Sequence, residues 1–172
     1  YAHNLNKKLY VTVNSFAKDQ EFKDIVEYGK KLHEINVDAV IVSDLGVISV
    51  LRSQVPDLEI HVSTQANCQN SFAAKVYHDL GVKRIVLARE MNLQEIKNFS
   101  KIIPEDLEIE AFVHGAMCMA YSGRCFISTY LTGRSGNRGE CTQPCRWRYH
   151  LVEQTRPNEF FPVEEGEKGT TL

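Results

Sequence analysis

Long apolar runs are missing from this 172-residue chain, and no stretch approaches the roughly 20 residues that a membrane-spanning helix needs. The opening YAHNLNKKLY holds no apolar core of the kind a secretory leader carries, so a cytoplasmic protein with reduced thiols is expected. Net charge is scarce as well, at −2, which excludes a strong global attraction to nucleic acid or to a membrane surface. No Gly-rich phosphate loop follows any apolar run, and this counts against a dinucleotide fold. Neither H-E-x-x-H nor G-x-S-x-G occurs, so two common hydrolase signatures are absent. Cysteine is sparse, five in all, yet four of the five fall between residues 118 and 145.

What is present is an ordinary globular composition, 43% hydrophobic and 24% charged, in a chain long enough for one proper core. From residue 9 to residue 113 short apolar runs alternate with helical periodicity. KLYVTVN, DAVIVSD, LEIHVST, KRIVLARE and LEIEAFVHG read as strands. Between them, residues 20–35, 46–54, 71–81 and 93–102 read as helices, with Pro56 stopping the second and Gly81 closing the third. Such alternation calls for a parallel sheet, either doubly wound or part of a (β/α)8 barrel. The fold class expected is α/β, a partial TIM-like barrel of about five parallel strands (residues 1–113), since a whole barrel takes about 250 residues. A Cys/Arg-rich region (114–156) and an acidic polar tail (157–172) follow. Tyr1 at the start and EEGEKGTTL at the end read as the ends of a segment from a longer protein, with a further C-terminal part expected.

Both closures place function at the C-terminal ends of the strands. The polar residues there are Asn14, Ser15, Ser43, Asp44, Ser63, Thr64, Gln65, Arg89, Glu90 and His114. Ser43, Asp44, Ser63 and Thr64 also suit plain helix caps. Arg89 stands directly after RIVLA, where a guanidinium can meet a carboxylate or phosphate. Arg89, Glu90 and His114 are therefore the candidate catalytic residues. Arg124, Gln65 and Asn14 are candidates for binding a small anionic cosubstrate.

Residues 114–156 carry six arginines, no lysine and two acids, a local charge of +4. Tyr121, Tyr130, Trp147 and Tyr149 are interleaved with them, and four glycines between 123 and 139 predict a looped backbone. Arginine forks with aromatic rings suit phosphates and unstacked bases. Arg134, Arg138, Arg146, Arg148 and Trp147 are the candidate RNA contacts; internal ion pairs are the plain alternative. The cysteine spacing is Cys118-x6-Cys125-x15-Cys141-x3-Cys145. Thiolates are soft ligands, and only the last pair has the tight spacing of a zinc knuckle. The wide first gap favours a larger object such as a 4Fe–4S cluster. Cys68 stands apart and reads as a small buried residue. C-x3-C-x2-C, the pattern of radical-SAM enzymes, fails because Arg148 occupies the third position.

EAFVHGAMCMAYSGRCFIS (110–128) resembles the signature of the peptidase U-32, or collagenase-like, family, with Glu110, Phe112, Gly115, Cys118, Gly123, Cys125 and Ser128 at the family's spacing. RGECTQPCRWRY, HVSTQAN and LARE are also similar, so the resemblance covers nearly the whole chain. It implies a TIM-like barrel with about two strands before this segment and one after. The family was named for a peptidase activity of unassigned type. Other members bind an iron–sulfur cluster and hydroxylate without oxygen. One branch makes 5-hydroxyuridine at the tRNA wobble position with prephenate, another modifies a ribosomal cytidine, and a third acts in anaerobic quinone synthesis. The nearest branch is the tRNA one. By position, Cys118, Cys125 and Cys141 are the implied cluster ligands, and the fourth is Cys145 or a residue beyond Leu172. Three functions follow as expectations: an RNA hydroxylase partnered by tRNA, a peptidase, or a zinc-stabilised RNA-binding module. Exposed barrel edges also offer a route to homo-oligomers.

Overall fold

Short apolar strands separated by amphipathic helices can bury both only by stacking the helices on a sheet. The structure, a computed structural model, describes residues 1–115, 117–166 and 169–171. The alternating unit runs β1 (Tyr10–Val13), α1 (Phe22–Glu34), β2 (Ala39–Val42), α2 (Leu45–Gln54), β3 (Ile60–Val62), α3 (Ser71–Asp79), β4 (Arg84–Val86), α4 (Leu93–Phe99), β5 (Glu108–Glu110). All five strands form one parallel sheet in the order β1-β2-β3-β4-β5. Each strand adds to the same edge and the order never reverses. There is no switch point of the doubly wound kind; this is the winding of a (β/α)8 barrel segment. Right-handed crossovers then put every helix on one face.

Register decides what each face carries. Val11, Val40, Ile60, Val62 and Ile85 alternate onto the helix side, where they join Leu32, Ile48, Leu51, Ala74 and Phe99 in one core. The opposite parity brings Ile41, His61, Arg84 and Glu108 into one row across the sheet. That face is polar and internally matched. His61 is buried, bonds Glu59 at 2.8 Å and meets the Tyr10 ring edge-on at 5.0 Å. Arg84 pairs with Glu108 and Glu110 and lies 5.4 Å from the centre of the Tyr10 ring.

Helix starts are fixed by side chains the sequence offers. Asp44 accepts from the Val47 amide (3.1 Å) and Asn70 from that of Ala73 (2.9 Å). Asn92 and Glu95 form a reciprocal capping box on α4. Gly81, at φ +81°, follows α3 in the left-handed conformation that favours glycine. All five strands are shorter than expected, β4 and β5 most of all, at three residues each. β5 ends at Glu110, because β4, its one neighbour among the described residues, stops pairing at Val86. α4 ends at Phe99 rather than 102.

The region expected to be looped contains one short helix, α5 (Ile127–Thr132). Beyond it lie two antiparallel pairs, β6 (His150–Leu151) with β7 (Phe161–Pro162) and β8 (Glu164–Gly166) with β9 (Gly169–Thr171). Residues 167, 168 and 172 of the expected acidic tail lie outside the described residues. Among the described residues no helix is long and apolar enough to cross a membrane.

Ile48 is fully buried in the centre of this core. Ile48→Ala is expected to lower stability by about 2–5 kcal/mol, read as a fall in the urea midpoint with an unchanged slope.

Candidate functional site

The strand ends at the C-terminal mouth hold the segment that follows β5. At β3, Ser63 caps the turn Thr64–Ala66, and the Thr64 hydroxyl donates to the Leu87 carbonyl at 2.9 Å. Ser43 donates to the Asn14 carbonyl at 3.0 Å. With Asp44, these residues serve as caps and turn locks. At β4, the Glu90 carboxylate accepts from both the amide (2.8 Å) and the hydroxyl of Ser122. Ser122 is wholly buried at φ +31°, midway between Cys118 and Cys125. Burial works against the Glu90 charge. The hydrogen bonds from Ser122 and the charge of Arg89 outweigh it and hold the carboxyl below its ordinary value. Gln69 reaches the Tyr121 hydroxyl beside it.

A second tether lies at β1. The Asn137 side chain grips Cys125 twice, accepting from its amide and donating to its carbonyl, both at 3.3 Å. The next residue, Arg138, donates to the Phe16 carbonyl at 2.7 Å and pairs with Glu21 at 2.5 Å. The hydrogen bonds from Arg138, and then from the Lys18 amide, pull the Glu21 carboxyl down to about 2. Gly136, in the same turn, abuts Cys141: a Cβ there would sit 3.5 Å from the Cys141 Cβ. One turn thus touches two of the predicted cysteines.

Eight of the fifteen predicted site residues divide among three cavities. Arg89 and His114 share one of about 270 Å³ with Phe112, Val113, Gly115 and Met117. The Arg89 Nε is buried and has no hydrogen-bond partner. Cys118, Cys141 and Cys145 line a second, of about 330 Å³, with Gln143 and Arg146. There the Gln143 amide donates to the Cys141 sulfur at 3.3 Å, and Arg146 donates to the Met117 carbonyl at 3.0 Å. Met117 faces the first cavity and Cys118 the second, so the two flank one stretch of chain. Asn14 and Arg138 line a third, of about 410 Å³, beside Glu21, Asp24 and Tyr28. Gln65 lies half-buried in the Thr64–Ala66 turn and lines none of the three. Arg124, Arg134, Arg148 and Trp147 are exposed.

All five cysteines are free thiols, and Cys68 is buried as expected. Cys125 is not among the residues lining the thiol cavity. Among the described residues no group of three or more His, Cys, Asp or Glu side chains is close enough to hold a metal ion. His114 and Cys118 line different cavities. Sequence reasoning missed Ser122, Asn137 and Glu21. The Ser-Gly pair at 122–123 signals a turn, but nothing local names Glu90 as its partner.

A singly wound parallel sheet with a thiol- and arginine-rich segment folded over its strand mouths defines a barrel-type protein, a class in which sites lie at the mouth. The chain belongs to peptidase family U32, whose profile matches residues 1–171. It is 44% identical over its whole length to tRNA hydroxylation protein P of Helicobacter pylori, of which it covers 41%. To the Escherichia coli protein of the same name it is 44% identical over 88% of this chain and 33% of that protein. To the 23S rRNA 5-hydroxycytidine synthase of Escherichia coli it is 42% identical over 89% of this chain and 23% of that protein. The chain thus spans well under half the length of these relatives. No solved structure matches it.

Two outcomes follow. Burial raises the Cys68 thiol to about 11, so at pH 8 its thiolate fraction is roughly a thousandth. Alkylation of the metal-free native chain, followed by mass spectrometry, is expected to label four thiols quickly and Cys68 only after unfolding. Glu21 titrates below its ordinary 4.5, so the stability it lends is full above that value and is lost as pH falls through about 2. Arg138→Gln is expected to move the Glu21 titration, followed by carboxyl NMR, back toward 4.5.

Proposed function

We propose that this chain is the thiol-bearing part of an RNA-modifying hydroxylase that works without oxygen, with a tRNA uridine at the wobble position as its target. The observation that carries this reading is the convergence of Cys118, Cys141 and Cys145 on one cavity beside the arginine-lined strand mouth. The printed names of the relatives, tRNA hydroxylation protein and rRNA hydroxycytidine synthase, support RNA as the substrate class.

Four soft thiols within 28 residues are a donor set of the kind an iron–sulfur cluster takes. Cys118, Cys141 and Cys145 line one space of about 330 Å³, and Cys125 lies outside it. An amide donating to the Cys141 sulfur and the neighbouring Arg146 would offset thiolate charge. In this reading Cys118, Cys125 and Cys141 hold a 4Fe–4S cluster, with Cys145 as the fourth thiol the chain offers. When bound, such a cluster supplies one-electron chemistry.

The remaining roles belong to the chain's own groups. Arg89 presents a buried, unpartnered Nε in a cavity with the apolar walls of Phe112, Val113 and Met117. That combination binds an anionic organic cosubstrate such as prephenate, with His114 able to hold or pass a proton beside it. Glu90 works by fixing Ser122 and so orienting the thiol segment. Exposed Arg134, Arg148 and Trp147 meet RNA, and Arg124, expected at the cosubstrate but exposed and outside the Arg89 cavity, joins them, whereas Arg138 and Arg146 brace the backbone that carries them.

In cells relying on the full-length protein, Cys118→Ser and Cys141→Ser are expected to reduce 5-hydroxyuridine in tRNA to background, while Cys68→Ser leaves it unchanged, as read by nucleoside mass spectrometry. Anaerobically purified wild-type protein is expected to contain iron and acid-labile sulfide. Zinc without iron would instead favour an RNA-binding module, and undiminished 5-hydroxyuridine in the cysteine variants would reject the hydroxylase reading.

A further inference from the structure

Helix α5 is packed inside out. Its buried contacts are hydroxyls. Ser128, fully buried, accepts from the Thr142 amide at 3.1 Å and shares a 3.1 Å hydrogen bond with the Thr142 hydroxyl. Thr132 donates to the Ser128 carbonyl at 2.7 Å and meets Thr142 at 3.3 Å. The outward side is apolar: Phe126 is 80% exposed, Tyr130 87%, Ile127 47% and Leu131 45%. A helix placed only by burial would be turned the other way. The Tyr130 amide bonds to the Phe126 carbonyl at 2.8 Å, so both rings rise from one side, a single turn apart.

Charge indicates what covers these rings. Residues 114–139 contain three arginines and no carboxylate or lysine. Arg138 is paired with Glu21, but among the described residues Arg124 and Arg134, which bracket the helix, form no ion pair. Size argues against a protein partner. A six-residue helix is about 9 Å long, and a stable protein interface needs about 800 Å² from each side. Two rings suffice for stacking unpaired bases, and flanking arginines suit the phosphates between them.

We propose that Phe126 and Tyr130 form a stacking platform for unpaired RNA bases, with Arg124 and Arg134 neutralising the adjoining phosphates. This rests on the RNA reading above and adds to it the single-stranded part of the substrate and the side chains that hold it.

The test is fluorescence anisotropy of the purified chain with a short labelled single-stranded oligoribonucleotide, against a duplex of equal length. Phe126→Leu and Tyr130→Leu keep apolar area and remove a ring. Each is expected to weaken single-strand binding roughly tenfold and spare the duplex. Tyr130→Phe should bind as the parent does, since the ring and not the hydroxyl is used. A 2-aminopurine base in the strand should be quenched by the parent and not by the leucine variants. Arg134→Ala should flatten the dependence of affinity on salt. The rings are exposed, so thermal unfolding of the leucine variants should match the parent. If the leucine variants bind single strands as well as a parent that does bind them, the platform is rejected and the RNA reading survives. Should the parent bind no RNA, the RNA reading itself fails. Loss of self-association in the leucine variants, with RNA affinity intact, would make this face a contact between copies and overturn the proposal.

Discussion

A carboxylate that takes two hydrogen bonds from one buried serine fastens the thiol segment to the sheet. Ser122 sits at φ +31°, a conformation that costs a residue with a side chain about 1–3 kcal/mol, and it is wholly buried. Such a residue persists only where its surroundings over-determine it. Glu90 provides that by receiving the amide and the hydroxyl together. Hydrogen bonds to an ionised acceptor are the strong kind, and the low titration of Glu90 is the same fact seen from the proton's side. Cys118 and Cys125 lie four residues before and three after this anchor, so it fixes the middle of the segment that carries them.

The winding of the sheet makes that anchor useful. Because every strand joins the same edge, the mouths of β1, β3 and β4 line up along one side. The segment after β5 can then be tied at β4 through Glu90, near β3 through Gln69 and at β1 through Phe16 and Glu21. A reversing order would scatter these attachment points. The same winding leaves the second face without helices. Its charges are satisfied among themselves, with Arg84 between Glu108, Glu110 and the Tyr10 ring.

Elements driven by local rules were readable from residue order. Asp44, Asn70 and Asn92 cap the helices that the apolar spacing predicts, and Gly81 closes α3 where it should. Residue order and structure diverge where the deciding partner is distant in sequence. LEIEAFVHG predicts a longer β5 than the structure has, because its alternation continues after β4 has stopped pairing. The four glycines around α5 predict a loop, although Phe126, Ile127, Tyr130 and Leu131 stand at helical spacing. That stripe faces outward, held there by Ser128 and Thr132 on Thr142, a residue ten positions beyond the helix. The thiol cavity was legible as a group of soft ligands. The turn that reaches both Cys125 and Cys141 was not, because Asn137 and Gly136 look like any turn residues.

Arginine content alone could not separate contact from support. Residues 114–156 hold six arginines, and the structure sorts them by what each guanidinium touches. Arg138 is occupied by Glu21 and the Phe16 carbonyl, Arg146 by the Met117 carbonyl, and Arg156 by Glu153 and Glu159. Exposed ion pairs of this sort contribute roughly 0–1 kcal/mol, so their value here is positional: each pins a backbone turn beside a cysteine or the terminal strands. Arg124, Arg134 and Arg148 are exposed, and none forms an ion pair among the described residues. An arginine left unpaired beside exposed aromatic rings, in a stretch with almost no acids, is solvated at no cost until an anion arrives. The unpaired positive charge of this region therefore reduces to three side chains among the described residues, and two of them bracket α5, a helix that turns two rings to solvent.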